Sequence, residues 1–333
     1  MNDPLISNAF VTSGAYRDLI VPKLIASGKS LTPFYINAEK LCPGIEQALK
    51  AYDQAQKKKK NQVNAHLIIE HSLHAVAFDA TFREIILHMA DVIWEINEEY
   101  LMANPAHKML VITGGERRDW VFSAPLAKVL DASHILFYKP RSLGYEDQYQ
   151  YAFYNGRMQY FNQNTSFAKS GYYGIHVTDM ITKGSSLYDT TNGQQPTGWL
   201  AQAAAFELPI PQVVSVVSRK QGGEEHLARF GIPTYAFVTI DEAFLQKHSK
   251  DPEQAIAYLN DEETWTKQYL IKNGIECLLE YFNPESKDIA KGIKFFQHYK
   301  EWLQHAELLP KLEKAVSQEY KIALEQIIAL EKQ

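Results

Sequence analysis

Five short apolar runs, several breaking off in glycine or polar residues, constrain this chain more than any other feature. They are MLVITGG (109–115), HILFYK (134–139), YGIHVTDM (173–180), QVVSVVS (212–218) and TYAFVTI (234–240). Their length and their Val, Ile and aromatic content read as strands. Helical stretches fall between them, one running through Ala124 to Leu130 and one over Thr197 to Glu207. Strand and helix alternating at this spacing predict an α/β fold, a largely parallel sheet flanked by helices. QYQYAFYNGRMQYF (148–161) reads as a hairpin, because Asn155-Gly156 suits a type I′ turn between aromatic-rich strands.

The flanks are different. The first ~60 residues mix helical stretches with a segment rich in turn formers, SGKSLTPFYIN (27–37). From Asn64 to Tyr100 the pattern is helical, with Phe82, Ile85, Ile86, Met89, Ile93 and Ile96 at three- and four-residue spacings. Asn104-Pro105 stops that helix. From Asp241 onward no strand is evident. DEAFLQKH, PEQAIAYL, KQYLIKNGIECLLEYF and KLEKAVSQEYKIALEQIIALEK read as amphipathic helices. The expected organisation is one domain over 1–245, with a helical insertion near 55–100, and a helical extension over 246–333.

Composition narrows the function classes. A net charge of −5 provides no global basic field for nucleic acid. The lysine run 57–60 reads as a solvated face. Two cysteines, Cys42 and Cys277, make neither a disulfide framework nor a metal site. No apolar run reaches the ~18 residues of a membrane helix, and MNDPLISNAF lacks the blocks of a signal peptide. A cytoplasmic protein is expected. Glu70, His71 and His74, with His88 further on, have helical spacing that a metal could use, but a polar helix face is the reading adopted. Neither a Walker A loop nor a Gly-x-Ser-x-Gly elbow occurs.

The segment GIHVTDMITKGSS (174–186) carries the most chemistry. A strand ends in an acid, Asp179, and a loop of Thr182, Lys183, Gly184, Ser185 and Ser186 follows. Such a loop can turn several backbone N–H groups inward as an anion nest, and it is expected to open a helix whose N-terminus favours phosphate. The acid above it suits sugar hydroxyls. Ligands of α/β sheets bind at the carboxyl ends of strands, where this loop lies.

This segment resembles the phosphoribosyl-pyrophosphate (PRPP) motif of the type I phosphoribosyltransferases. In that family two adjacent acids end the strand, and an apolar pair and Thr-x-Gly-Thr or a similar run follow. Here Asp179 matches the second acid, Met180-Ile181 the apolar pair, and Thr182, Gly184 and Ser185 the loop, while Thr178 stands at the first acid. Further segments are similar to the orotate branch. ASGKSLTPFYINA (26–38) implies that Phe34 and Tyr35 lie beside the pyrimidine. VITGGERRDWVFSAPLAKVL (111–130) implies a pyrophosphate loop. There Gly114 and Gly115 allow backbone conformations closed to other residues, and Arg117 and Arg118 clamp diphosphate. Asp119 could orient one of the two arginines. VVSVVSRKQGGEEHL (213–227) implies that Arg219 binds the orotate carboxylate, with Thr182 also touching the base. Lys139, the last residue of HILFYK where the following loop begins, is by the same resemblance the equivalent of a loop cation that closes the site.

The resemblance spans roughly residues 20 to 245. It implies transfer of phosphoribosyl from PRPP to orotate with Mg²⁺, held indirectly by Asp179 through PRPP, in a homodimer without nucleic-acid or membrane partners. Transfer to another base, or a protein of this fold that binds PRPP without turnover, are the alternatives.

Overall fold

The five apolar runs are all strands, and they lie side by side. In the computed structural model the chain runs α1 (Pro4–Thr12), β1 (Tyr16–Leu24), β2 (Leu31–Ile36), α2 (Ile45–Lys58), α3 (His66–Phe78), α4 (Ala80–Ala103), β3 (Met109–Gly115), α5 (Trp120–Val129), β4 (Ser133–Phe137), β5 (Gln150–Tyr154), β6 (Arg157–Phe161), β7 (Tyr172–Ile181), α6 (Trp199–Ala205), β8 (Gln212–Ser218), α7 (Gly223–Ala228) and β9 (Thr234–Thr239). Helices α8 (Glu242–His248), α9 (Pro252–Asn260), α10 (Glu262–Asn273), α11 (Ile289–His305), α12 (Leu309–Tyr320) and α13 (Leu324–Ala329) follow. The structure describes residues 2–25, 27–58, 65–138, 150–154, 157–161, 171–190 and 196–329. The turn Asn155-Gly156 lies outside them, although β5 and β6 pair antiparallel on either side of it.

Two compact units result: Met1–Ala15 with Asn37–Ile240, and Tyr16–Ile36 with Asp241–Gln333. The boundary expected near 245 therefore has a second part, because residues 16–36 group with the C-terminal helices.

In the first unit the sheet order is β6-β5-β4-β3-β7-β8-β9. The five strands from β4 to β9 are parallel, and β5 and β6 extend one edge antiparallel. Side chains alternate between the faces with period two. Val111, Ile135, Phe137, Ile181 and Val213 pack on one face with Trp199, Leu200 and Ala203 of α6 and Leu227 of α7. Helix α5 contacts β3, β4 and β7 and is backed by α3 and α4. The helical run expected over 64–100 is broken at Asp79. Its backbone is extended and its Oδ1 accepts from Phe82 N at 2.7 Å, so the carboxylate ends α3 and caps α4.

In the second unit β1 and β2 form an antiparallel hairpin. Asp241, Asp251 and Asp261 cap α8, α9 and α10. The helix expected over KQYLIKNGIECLLEYF stops at Asn273, because Gly274 takes φ +83°, and Glu276–Phe282 continues as a 3₁₀ helix. Likewise Lys321, at φ +57°, separates α12 from α13. Helix α11 buries Ile293, Phe295, Phe296, Tyr299 and Leu303. A Cβ on its Gly292 would lie 2.2 Å from the Tyr281 carbonyl oxygen. Backbone cannot yield as a side-chain tip can, so Gly292→Ala is expected to destabilise this unit by about 2 kcal/mol. A thermal melt reads the loss, and an unchanged midpoint would contradict this contact.

Among the described residues no helix is long and apolar enough to cross a membrane.

Candidate active site

The carboxyl ends of three adjacent strands bring most of the candidate residues together. Thr113 of β3 is in register with His176 of β7, so Gly115 reaches the level of Thr178. Arg219 follows β8, and its backbone N–H donates to Ile181 O at 2.9 Å, fastening it beside the end of β7. The loop 182–186 leaves from the same place, and Gly223 N donates back to Thr182 O at 2.9 Å.

That loop has the geometry of a nest, without the helix. Gly184 is left-handed, at φ +78°, and a Cβ there would meet the Gly223 backbone and the His226 ring at 3.2 Å. Leu187 N and Tyr188 N both donate to Gly184 O, closing a single turn. Among the described residues, the backbone N–H groups of Lys183, Gly184, Ser185 and Ser186 have no acceptor. The expected helix does not follow, since α6 begins only at Trp199. Any anion here is held by local N–H groups and hydroxyls rather than by a helix dipole.

Gly114 and Gly115 have another reason to be glycine than the one expected. Neither has positive φ. A Cβ on Gly115 would lie 2.3 Å from the Trp199 ring, and one on Gly114 would lie 2.3 Å from Ser123 Oγ. Both are buried at the end of β3. They allow α5 and α6 to approach the sheet from opposite faces, and Gly115 N is already engaged, donating to Asp119 Oδ2 at 2.9 Å.

Asp119 is the residue that sequence reasoning misplaced. It was expected to orient an arginine. Instead it is buried, at 5% exposure, and points between the strand ends. Its Oδ1 accepts from Thr178 Oγ1 at 3.0 Å and from Asp179 N at 2.9 Å. Thr178, 3% exposed, thus gives its hydroxyl to the protein interior and not to an open site. His176 Nε2 lies 3.8 Å from Asp119 Oδ2. Burial lowers the His176 pKa to about 3, so this neutral ring forms no ion pair with the acid. Burial pushes the Asp119 carboxyl up to about 6, against the opposing effect of its three N–H and O–H donors.

Asp179 is half-buried, and its carboxyl is held well above the usual range. Burial is the main cause and the Asp119 charge the next; Arg118 opposes the shift and Glu39 adds to it.

The paired arginines turn to acids of the 37–58 segment. Arg118 Nε lies 3.2 Å from Glu39 Oε1 and Arg117 Nη1 2.9 Å from Asp53 Oδ2. Arg118 stays close enough to Asp179 to lower its pKa. Arg117 leans on α2, also donating to Leu49 O at 3.4 Å. Glu39 and Asp53 have no local sequence signature that marks them as partners of a loop some 65 to 80 residues away. Glu39 is 3% exposed and its Oε2 has no hydrogen-bond partner.

Phe34 and Tyr35 belong to the second unit. Phe34 is 2% exposed and packs edge-on against Tyr258 and tilted against Tyr16, so its ring is part of that unit's core. Tyr35 lies beneath the Arg17 guanidinium, 5.1 Å from the ring centroid. Lys139 lies outside the described residues. His71, His74 and His88 have separate partners. His71 Nε2 is 2.7 Å from Pro43 O, His88 Nε2 is 2.6 Å from Asp3 Oδ2, and the His74 ring lies tilted against Phe78 with centroids 4.3 Å apart.

No family model matches the chain. Over 133 residues, 39% of the chain, it is 25% identical to an adenine phosphoribosyltransferase from Mannheimia succiniciproducens, covering 68% of that protein. The similarity is to a phosphoribosyltransferase, the enzyme class that the segment 174–186 resembles. Among solved structures it is similar to Leishmania donovani UMP synthase, at 13% identity and a TM-score of 0.39, over 80% of this chain and 42% of that one. Orotate phosphoribosyltransferase from Aeropyrum pernix is similar at 14% identity and a TM-score of 0.39, over 73% and 98% of the two chains. Adenine phosphoribosyltransferase from Thermoanaerobacter pseudethanolicus is similar at 15% identity and a TM-score of 0.32, over 50% and 84%.

Proposed function

We propose that the chain transfers phosphoribosyl from PRPP to a nucleobase, and that the base is orotate, giving orotidine 5′-monophosphate and pyrophosphate. The observation that carries this reading is the convergence, at the ends of β3, β7 and β8, of Arg118, Asp179, the 182–186 nest and Arg219.

In this reading the nest takes the 5′-phosphate through N–H groups that have no other acceptor. Asp179 meets the ribose hydroxyls. A ring nitrogen of the base displaces pyrophosphate at C1 of the ribose. As that bond loosens, positive charge grows on the ring, and a nearby carboxylate stabilises it. Arg118, whose side chain is 44% exposed, exchanges Glu39 for the departing diphosphate. Arg219 pairs with the orotate carboxylate, whose planar shape a guanidinium matches. Orotate is already an anion, so positioning and electrostatics supply most of the rate. Mg²⁺ fits as a companion of the diphosphate, since Asp179 offers a hard oxygen donor while Asp119 is buried and already accepts from three donors. Bound there, it would supply positive charge to the leaving group. The same reading includes a homodimer.

Adenine is the second reading, favoured by the sequence relative. Arg219 separates the two, because a neutral purine has no carboxylate for it. Protein mixed with PRPP, Mg²⁺ and either base is assayed for nucleotide formation. Orotate is expected to react, with Arg219→Ala costing about 100-fold in kcat/KM. Reaction with adenine alone, unaffected by Arg219→Ala, would overturn the orotate assignment.

A further inference from the structure

The Asp119 carboxylate is the part of this site that packing alone explains least. Burying an ionised carboxylate costs several kcal/mol unless donors surround it. Here the donors come from two different strand ends: Gly115 N at the end of β3, and Thr178 Oγ1 and Asp179 N near the end of β7. Gly115 opens the turn that carries Arg118, and Asp179 is the half-buried acid. One carboxylate therefore sets the spacing between the group that meets diphosphate and the group that meets ribose. No apolar side chain of similar size could do this, because all three donors would lose their acceptor.

We propose that Asp119 is the positioning residue of the site, holding Asp179 and the Arg118 turn in one fixed relation through these three hydrogen bonds. It touches no substrate. The inference rests on the phosphoribosyl-transfer reading. It goes beyond that reading in assigning the site's geometry to a residue that meets neither substrate.

Two sets of variants test it. Asp119→Asn keeps the shape, but its amide nitrogen cannot accept from Gly115 N. Thr178→Val removes one donor while leaving Asp119 in place, and Thr178→Ser puts the hydroxyl back. PRPP binding is measured by calorimetry with Mg²⁺, and kcat and KM with the reactive base. Asp119→Asn is expected to weaken PRPP binding and lower kcat together, by about 30-fold in kcat/KM. Thr178→Val is expected to lose about 5-fold, and Thr178→Ser to recover most of it. A merely structural role would instead lower the melting temperature while leaving kcat and KM of the folded fraction unchanged. If Asp119→Asn is too unstable to isolate, the Val and Ser pair decides alone. Wild-type PRPP affinity and turnover in Asp119→Asn, or equal values in Thr178→Val and Thr178→Ser, would overturn the proposal with the transfer reading intact. Failure of the wild-type protein to bind PRPP would overturn both.

Discussion

Asp179→Asn is expected to lower phosphoribosyl transfer by about 100-fold or more while making the folded protein no less stable. The two effects share one cause. Asp179 is a carboxyl held half-buried beside a second carboxyl, and both conditions disfavour its charge. Asparagine has the same shape without the charge. Its amide nitrogen can donate to the Asp119 carboxylate, where the acid could only repel it or share a proton. The ionised form favours folding less than the neutral isostere does, and in the proposed reaction that charge acts at the ribose. Initial rates and a thermal melt at pH 7.5 check both halves. Unchanged turnover would take Asp179 out of the reaction, and a clearly lower melting temperature would contradict the electrostatic account.

His134→Gln is expected to change the pH dependence of stability by about 3 kcal/mol relative to wild type between pH 6.5 and pH 4.5. His134 is buried, with Nε2 hydrogen-bonded to Ser123 Oγ at 2.9 Å, and burial lowers its pKa to about 3. The folded-state value is depressed below the ordinary 6.5. Below pH 6.5 the unfolded chain therefore takes up a proton that the folded one refuses, and stability is lost as pH falls. Each such histidine contributes about 1.4 kcal/mol per pH unit across the window from 6.5 to about 3. Asp119, raised to about 6, acts in the other direction. Its extra stability is present below 3.8 and is lost as pH rises through 6, which flattens the wild-type curve. The difference between His134→Gln and wild type removes that offset. The variant starts less stable at pH 7, having lost packing, and overtakes or meets wild type near pH 4.5. Urea unfolding at four pH values reads it, and parallel curves would mean that His134 protonates as readily in the folded protein as in the unfolded one.

The parts of the fold visible in the sequence are those set by local pattern. Continuous Val- and Ile-rich runs such as QVVSVVS and GIHVTDM are strands, because a sheet covered on both faces asks for apolar residues at every position. The order of Arg118, Asp179, the 182–186 loop and Arg219 along the chain was likewise legible, since each lies in or within three residues of the carboxyl end of a strand. What pairs across the fold was not. Asp119 follows two arginines and reads as their partner, yet its donors come from residues 115, 178 and 179. Glu39 and Asp53 take the arginines instead, from about 80 and 64 residues away respectively. The Gly114-Gly115 pair signals an unusual backbone in sequence, but its cause is the closeness of Ser123 and Trp199. Phe34 looks like a base-stacking ring until its neighbours Tyr16 and Tyr258 are known. Strand β1 went unread because Pro22 interrupts it and its Ile20 and Val21 are exposed.

The measurement that tests the account most directly is calorimetric titration of PRPP with Mg²⁺ into the wild-type protein and into Gly184→Val. Valine is strained at φ +78° and would crowd Gly223 and His226, distorting the nest while leaving Arg118 and Asp179 in place. The account predicts one PRPP bound per chain in wild type, and a loss of at least about 10-fold in affinity in the variant. No binding by the wild-type protein, or equal affinity in Gly184→Val, would contradict the assignment of the strand-end loop of β7 as the PRPP site.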